Sequence, residues 1–297
     1  MLRSRLVWLV VVSTAALVGA WPAVALAATQ PALGTAINFA VLAGSTITNT
    51  GSSVITGNLG LQPGTSVTGF PPGTVTGVQH IADAVAVQAQ TDLATGYTEA
   101  ASASPTSNLS GQDLGGKNLT PGVYSFSSSA QLTGSLTLSG NGVYVFQIGS
   151  TLTTASNSVV LLSNGAQACA VYWQVGSSAT LGTATHFQGN LMALTSITLD
   201  TGANILTGRA LARNGALTLD SNQITPPSGT CTVPATPTPS PSATAAGPSA
   251  TPSPAIGLPN TGGPPSHPGL PWWPLAIAAA ASALLLALRV RAQRKDS

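Results

Sequence analysis

The chain has 297 residues, of which 43% are hydrophobic and only 5% are charged, and its formal net charge at pH 7 is +2. That positive charge comes from the two ends, because residues 28–232 contain six carboxylates and three basic side chains, a balance of −3. Phosphate binding depends on clustered Lys and Arg, so the composition argues against a nucleic acid partner.

The first residues have the organisation of a secretory signal peptide. A basic opening, MLRSR, precedes an apolar run, and small residues follow at Ala25 and Ala27. We expect signal peptidase to remove residues 1–27, with cleavage after Ala27 or Ala28. An uncleaved membrane anchor is the alternative, although it would not need the small residues.

The C-terminal 40 residues, 258–297, resemble the LPxTG cell-wall sorting signal of Gram-positive surface proteins. An apolar segment (residues 275–290) and a basic tail (RAQRKDS) follow the motif Leu258, Pro259, Asn260, Thr261 and Gly262. The resemblance implies that a sortase cuts between Thr261 and Gly262 and joins the threonine carbonyl to peptidoglycan. The apolar segment would then contact the membrane only before sorting. A plain C-terminal membrane anchor is the alternative.

Between the two end signals, the sequence predicts one folded domain and a stalk. Residues 233–257 consist mainly of Pro, Thr, Ser and Ala, which cannot form a core and predict an extended stalk. The remaining domain, residues 28–232, contains the two cysteines of the chain, Cys169 and Cys231. Export to an oxidising compartment predicts a disulfide between them, and two free buried thiols are the alternative.

Short strand-like segments repeat along this domain. GVYSF at Gly122, GVYVF at Gly142 and AVYWQ at Ala170 look like copies of one strand, which predicts that Tyr124, Tyr144 and Tyr172 stack in a column. Units of about 20 residues with three short strands each predict a three-sided β-solenoid, and we expect it to be right-handed. A sandwich of hairpins is the alternative, but its turns would recur at a shorter spacing.

One segment interrupts the strand pattern. Residues 80–103 are rich in alanine and carry Ile81, Val85, Leu93 and Tyr97 at four-residue steps. This spacing predicts an amphipathic helix that covers one side of the solenoid.

The strand-like units are followed by a motif in which threonine, a small residue and a polar residue recur. We predict an outward-facing polar surface from this motif, made of Thr154, Ser156, Asn157, Thr183, Thr185, Thr201, Asn204 and Ser221. Threonine is favoured in strands and stacks into ladders, so a purely structural role is the alternative.

The domain resembles the microbial ice-binding proteins that combine an irregular β-solenoid with a long helix. The resemblance is carried by LGTAINFAVLAGSTITNTG from Leu33, GNLGLQPGTSVTGFPPGTVTG from Gly57, GVYVF, and the run from GNLMALTSITL to GRALARNGALTLDSN. It implies binding to ice or ordered water, with the motif T-A/G-x-T/N on the binding surface. His186 and the LDSNQI unit, at the ends of the expected surface, depart from that motif.

Other functions have weaker support from the residues. Asp200-Thr201-Gly202 looks like an aspartic protease motif, but that chemistry needs two carboxylates that share a proton. Asp220 is the only comparable partner, and the position of Asp200 holds Thr153 and Gly182 in the other units. We therefore expect no enzyme, no metal site and no cofactor. A surface adhesin or carbohydrate-binding module on the same scaffold is the main alternative function.

Overall fold

The computed structural model describes residues 28–229 and 231–233. The predicted signal peptide, most of the stalk, the LPxTG motif and the C-terminal apolar segment lie outside these residues. Within the described part, no helix is both long and apolar enough to cross a membrane.

The amino-terminal part of the domain forms seven short strands and then the long helix. A 3-10 helix, η1 (Gly34–Asn38), leads into β1 (Phe39–Ala43), β2 (Thr46–Thr50), β3 (Val54–Ile55), β4 (Asn58–Leu61), β5 (Ser66–Thr68), β6 (Thr74–Val75), β7 (Gln79–Ile81) and α1 (Ala84–Ser102).

The carboxyl-terminal part contributes the remaining strands of the described chain and one 3-10 helix. They are β8 (Ser107–Asn108), β9 (Asn118–Leu119), β10 (Gly122–Phe126), β11 (Ala130–Leu132), β12 (Ser135–Ser139), β13 (Tyr144–Ile148), β14 (Leu152–Thr154), β15 (Val159–Ser163), η2 (Ala168–Ala170), β16 (Val171–Val175), β17 (Ala179–Leu181), β18 (His186–Ala193), β19 (Ile197–Leu199), β20 (Asn204–Ala212), β21 (Leu217–Asp220) and β22 (Gln223–Ile224).

These strands stack as parallel ladders on three sides of a solenoid. The helix face, which α1 covers, is ordered β8-β10-β13-β16-β18-β20-β1-β4-β7. The threonine face is ordered β11-β14-β17-β19-β21-β2-β5. The third face is ordered β9-β12-β15-β18-β20-β22-β3-β6, and the long strands β18 and β20 bend through the corner between it and the helix face. The predicted fold class, mostly β with one long helix, is confirmed.

The spatial order of the coils differs from their order in the sequence. Strand β1 pairs with β20, where Val41 lies opposite Ala210, and β2 pairs with β21, where Thr48 lies opposite Thr218. The first coils of the chain therefore extend the stack beyond the last ones. Helix α1 carries the chain back from β7 at one end of the solenoid to β8 at the other.

The length of α1 suits this return path. Its 19 residues span about 28 Å at 1.5 Å per residue. The ladder from β7 to β8 contains eight strand spacings, or about 38 Å at 4.8 Å each. Short segments at residues 82–83 and 103–106 make up the difference.

Small side chains let α1 lie close to the helix face. Its buried positions are Ala86, Ala89, Leu93, Gly96, Tyr97 and Ala100. The Asp83 carboxylate accepts a hydrogen bond from the Ala86 amide at 2.8 Å and begins the helix. At the other end, the Gln147 side-chain amide donates to the carbonyls of Ala100 (2.8 Å) and Ala103 (2.6 Å).

The predicted helix is therefore present, but two details of the prediction were wrong. Residues 79–81 form β7 rather than the first helical turn, because they pair with β4. Val85, which was expected on the buried stripe, is 47% exposed. The alanine-rich stripe faces the sheet instead, since it allows the backbones to approach more closely.

The predicted tyrosine column is also wrong. Gly122 lies opposite Tyr144, so the first VY unit is offset by two residues from the second, and Tyr124 lies opposite Phe146. The stacked core column is Tyr124, Phe146, Trp173 and Phe187, with ring centroids 5.5, 3.9 and 4.8 Å apart. Rings stacked along the axis fill the interior that successive coils enclose.

Candidate functional site: the threonine face

The threonine face carries one outward column of threonines that runs through six neighbouring strands. In each of these strands a threonine follows an apolar residue, and in most of them an apolar or small residue follows the threonine. Because side chains alternate along a strand, the threonine points outward and its neighbours point into the core. The central column consists of Thr153, Thr180, Thr198, Thr218, Thr48 and Thr68, with Gln131 next to Thr153 at one end.

A second column lies two residues earlier in each strand. It contains Ser129, Thr151, Ser178, Ser196, Ala216, Thr46 and Ser66, aligned by backbone hydrogen bonds between adjacent coils. All but Ala216 carry a hydroxyl group. Residues two apart along a strand are about 6.6 Å apart, and neighbouring strands are about 4.8 Å apart, so the two columns form a regular grid.

A third column lies at the corner between the threonine face and the third face. Amides of Asn157, Ala184, Gly202 and Ser221 donate to the carbonyls one coil away, which aligns Ser156, Thr183, Thr201, Asp220 and Thr50. The donor residues all have a left-handed backbone, with φ between 55° and 70°. Each coil therefore turns this corner in the same way, and the residue before the turn points outward.

Two threonines predicted to face outward lie inside the solenoid. Thr154 is 3% exposed and Thr185 is fully buried. Thr154 Oγ1 accepts from the Gly182 amide at 2.9 Å and lies 2.8 Å from Thr185 Oγ1. Alternation along β14 turns Thr153 outward and Thr154 inward.

The other predicted residues occupy the corner in two different ways. Thr183, Thr201 and Ser156 are exposed members of the corner column. Asn157 and Ser221 are the left-handed turn residues themselves. Asn204 lies past the turn on the third face, where its Oδ1 accepts from the Gln223 amide at 2.7 Å. The prediction therefore located one edge of the face and missed its centre.

The sequence motif places its first unit, Thr154-Ala155-Ser156-Asn157, two residues out of frame. Thr183-Ala184-Thr185-His186 and Thr201-Gly202-Ala203-Asn204 are aligned in the structure, but their counterpart begins at Ser156 rather than at Thr154. The central column had a signal of its own in the triplets LTT, ATL, ITL, LTL and ITN, where threonine follows an apolar or small residue.

Two carboxylates, Asp200 and Asp220, lie at the corner, and a third, Asp113, lies opposite Gln131 at the end of the face. Thr201 Oγ1 donates a short hydrogen bond to the Asp220 carboxylate, and Ser221 Oγ donates to the same group at 3.2 Å. Asp200 lies beside them, and its backbone oxygen accepts from the Asn222 side chain at 2.8 Å. The hydroxyl donors hold Asp220 in place as part of the corner column, an arrangement unlike two carboxylates that share a proton.

The predicted disulfide is present, between Cys169 and Cys231, which are 62 residues apart in sequence. It lies at the corner between the third face and the helix face, because Cys169 follows β15 and precedes β16. Among the described residues, no group of His, Cys, Asp or Glu side chains could hold a metal ion.

A parallel β-solenoid with a helix that returns the chain along one face is the structural class of this domain. The model of the Ice-binding-like family matches residues 41–225, and the chain belongs to this family.

Two kinds of relatives support this assignment. An ice-binding protein of Nostoc sp. (strain HG1) is 61% identical over 202 residues, which cover 67% of this chain and 75% of the relative. A crystal structure of an ice-binding protein from the Antarctic ascomycete Antarctomyces psychrotrophicus is 43% identical, with a TM-score of 0.66 over 68% of this chain and 100% of that chain. Another, from an Antarctic biological consortium, is 51% identical with a TM-score of 0.64 over 66% of this chain and 90% of that chain.

Proposed function

We propose that this protein binds ice through the threonine face. The observation that carries the proposal is the central column, in which Thr153, Thr180, Thr198, Thr218, Thr48 and Thr68 lie in register on six neighbouring strands. Family membership and relatives named for ice binding support it independently.

The physical basis is a rigid array that matches ordered water. Strand pairing fixes the spacing of the threonines at about 4.8 Å, close to a lattice repeat of ice. A β-branched side chain has few rotamers, so each methyl and hydroxyl is held before binding and little entropy is lost on docking. Methyl groups order the water above them, and hydroxyl groups hold it by hydrogen bonds.

Scarcity of charge on the array supports the same proposal. None of the six threonines of the central column or of the residues in the column beside it is ionisable, and the one carboxylate in line with them, Asp113, lies beyond Gln131 at the end of the face. An ion would hold its own hydration shell and disturb the ordered water. The carboxylates of Asp200 and Asp220 lie at the corner, where hydroxyl groups hold Asp220.

We also propose that the domain is exported and attached to the cell wall through its C-terminus. The signal-like residues 1–27 and the LPNTG motif at Leu258–Gly262 support this proposal, with signal peptidase, sortase and peptidoglycan as partners. The Pro- and Thr-rich stalk would then hold the domain away from the wall.

Substitution at the centre of the grid tests ice binding. Thr198→Tyr should abolish crystal shaping and most thermal hysteresis of residues 28–233, because one bulky side chain lifts the whole face off the lattice. Thr137→Tyr, on the outward side of β12 in the third face, is the matched control and should leave both activities intact. Equal activity of the two variants would place the binding surface elsewhere. Sugar binding without ice activity in the unmodified domain would favour the carbohydrate-binding alternative.

A further inference from the structure

The last described residues run along the edge opposite the threonine face. After β22 the chain passes Pro226, whose ring lies beside Gly57 between β3 and β4. It then reaches Thr232, which is hydrogen bonded to Gln167 between β15 and β16. Both places lie at the corner between the third face and the helix face. In a three-sided solenoid, that corner is opposite the remaining face.

The chain is fastened to this edge covalently. Cys231 is bonded to Cys169, and the Gln167 side chain donates to the Thr232 carbonyl at 2.7 Å and accepts from its amide at 3.3 Å. Beyond Val233, 64 residues of the chain follow, including the stalk and the sorting motif. Any pull from the attached end therefore enters the domain here.

Without the disulfide, a force that pulls on the C-terminal segment would act first on β22, the strand that precedes it. Strand β22 has two residues, with one residue pair to β20 and two to β3. With the disulfide, the pull passes to Cys169 and the adjoining strand β16, which forms five residue pairs with β13 and four with β18. Many hydrogen bonds in β16 then share the tension, whereas those of β22 would break one after another.

We propose that the domain is an adhesin that holds ice under tension, and that the Cys169–Cys231 disulfide carries this tension. The proposal rests on ice binding and C-terminal attachment as proposed above, and adds a mechanical function for the same face. The disulfide joins the tail directly to Cys169, so the pull reaches the strands that carry Thr180, Thr198 and Thr218 through β16 and its paired neighbours rather than through β22.

The measurement compares detachment from ice under load with ice activity at zero load. Beads carrying residues 28–261, attached through residue 261, are frozen onto a single ice crystal and pulled off by increasing centrifugal force. The Antarctomyces relative, matched along 100% of its length, indicates that a domain of this extent folds alone. The double variant Cys169→Ser/Cys231→Ser should keep its thermal hysteresis in free solution but detach at several-fold lower force.

A control variant separates tension from general stability. Leu93→Ala removes a fully buried side chain from α1, outside the path of tension. It should lower the melting temperature yet detach at the same force as the unmodified chain. If the disulfide-free chain holds the same load as the unmodified one, or if Leu93→Ala weakens attachment equally, the disulfide carries no special tension and the proposal is overturned.

Pulling without ice distinguishes failure of this proposal from failure of ice binding. In an optical trap that holds residues 28 and 261, the disulfide-free chain should show an early, short extension as the tail and β22 come away. The unmodified chain should show no such early extension before the whole domain unfolds. If the first extension of both chains occurs at the same force, the proposal is overturned. If unmodified beads fail to hold ice at any load, ice binding itself is wrong, and the trap record still decides whether the disulfide carries tension.

Discussion

Thr183 and Thr154 are both threonines of the repeated motif, yet one faces water and the other faces the core. Thr183 precedes the left-handed residue Ala184 and belongs to the corner column. Thr154 points inward from β14, and its hydroxyl group satisfies the buried amide of Gly182. The two positions therefore predict opposite effects of substitution.

Thr183→Tyr should reduce ice activity while leaving the fold unchanged. An exposed substitution of this kind usually changes the free energy of unfolding by less than about 0.5 kcal/mol. At the corner, however, the ring would project beyond the neighbouring Ser156 and Thr201 and hold the edge of the face away from ice. Thermal hysteresis and denaturant unfolding measured on the same preparation check this prediction. Full hysteresis in a folded variant would exclude the corner column from the binding surface.

Thr154→Val should act mainly on stability. Valine keeps the shape but cannot accept the Gly182 hydrogen bond, and a buried amide left without a partner costs about 1–3 kcal/mol. Thr154→Ser, which retains the hydroxyl group, should recover most of that loss. Urea unfolding of the three proteins provides the measurement. A valine variant as stable as the original would show that water replaces the hydroxyl group.

At the scale of elements, sequence patterns predicted whether a segment is a helix or a strand better than they predicted where it begins and ends. The helix followed from the spacing of Leu93 and Tyr97, and short β-type runs indicated the solenoid. The frame of the threonines could not be found from the motif, because the sequence does not show where each strand ends and its corner begins, and alternation from that point decides which side each residue faces. Burial of Thr154 depends on where β14 begins, and corner turns of variable length conceal that point.

The hydrogen bonds of the Gln147 side chain are expected to attach the C-terminal end of α1 to the sheet. Gln147→Leu removes the donor that satisfies carbonyls at the C-terminal end of the helix, so we expect a loss of about 1–3 kcal/mol. Gln223→Leu, an exposed glutamine on β22, is the control and should have little effect. Thermal unfolding monitored by circular dichroism compares them. Similar melting temperatures for both variants would show that the cap contributes little.

The disulfide should also contribute to stability in the absence of load. Closing a loop of about 60 residues stabilises a fold by about 2–4 kcal/mol, chiefly through the unfolded chain. The reduced domain should therefore melt at a lower temperature than the oxidised one. Calorimetry with and without reductant measures the difference, and Cys169→Ser should make reductant ineffective. An unchanged melting temperature on reduction would contradict the prediction.

At the scale of the whole molecule, the end signals and the domain predict a chain that joins a cell wall to ice. Thr261→Ala removes the residue whose carbonyl a sortase would join to peptidoglycan. The variant should accumulate in membrane fractions and be absent from purified wall. Wall isolation with boiling in detergent, followed by immunodetection, checks the outcome. A Thr261→Ala chain that still remains with peptidoglycan would rule out sortase attachment.

The return of the chain through α1 has a consequence for how the protein is made. The first strands synthesised, β1 and β2, pair early with β4 and β5 on one edge, but the partners of their other edges are β20 and β21. On that edge Thr48 waits for Thr218, 170 residues later. Contacts between such distant residues slow folding. Until the last coils exist, the edges of β1 and β2 that should meet them remain open to pairing with other chains. Interrupted synthesis is thus expected to yield aggregates rather than a shorter, working solenoid.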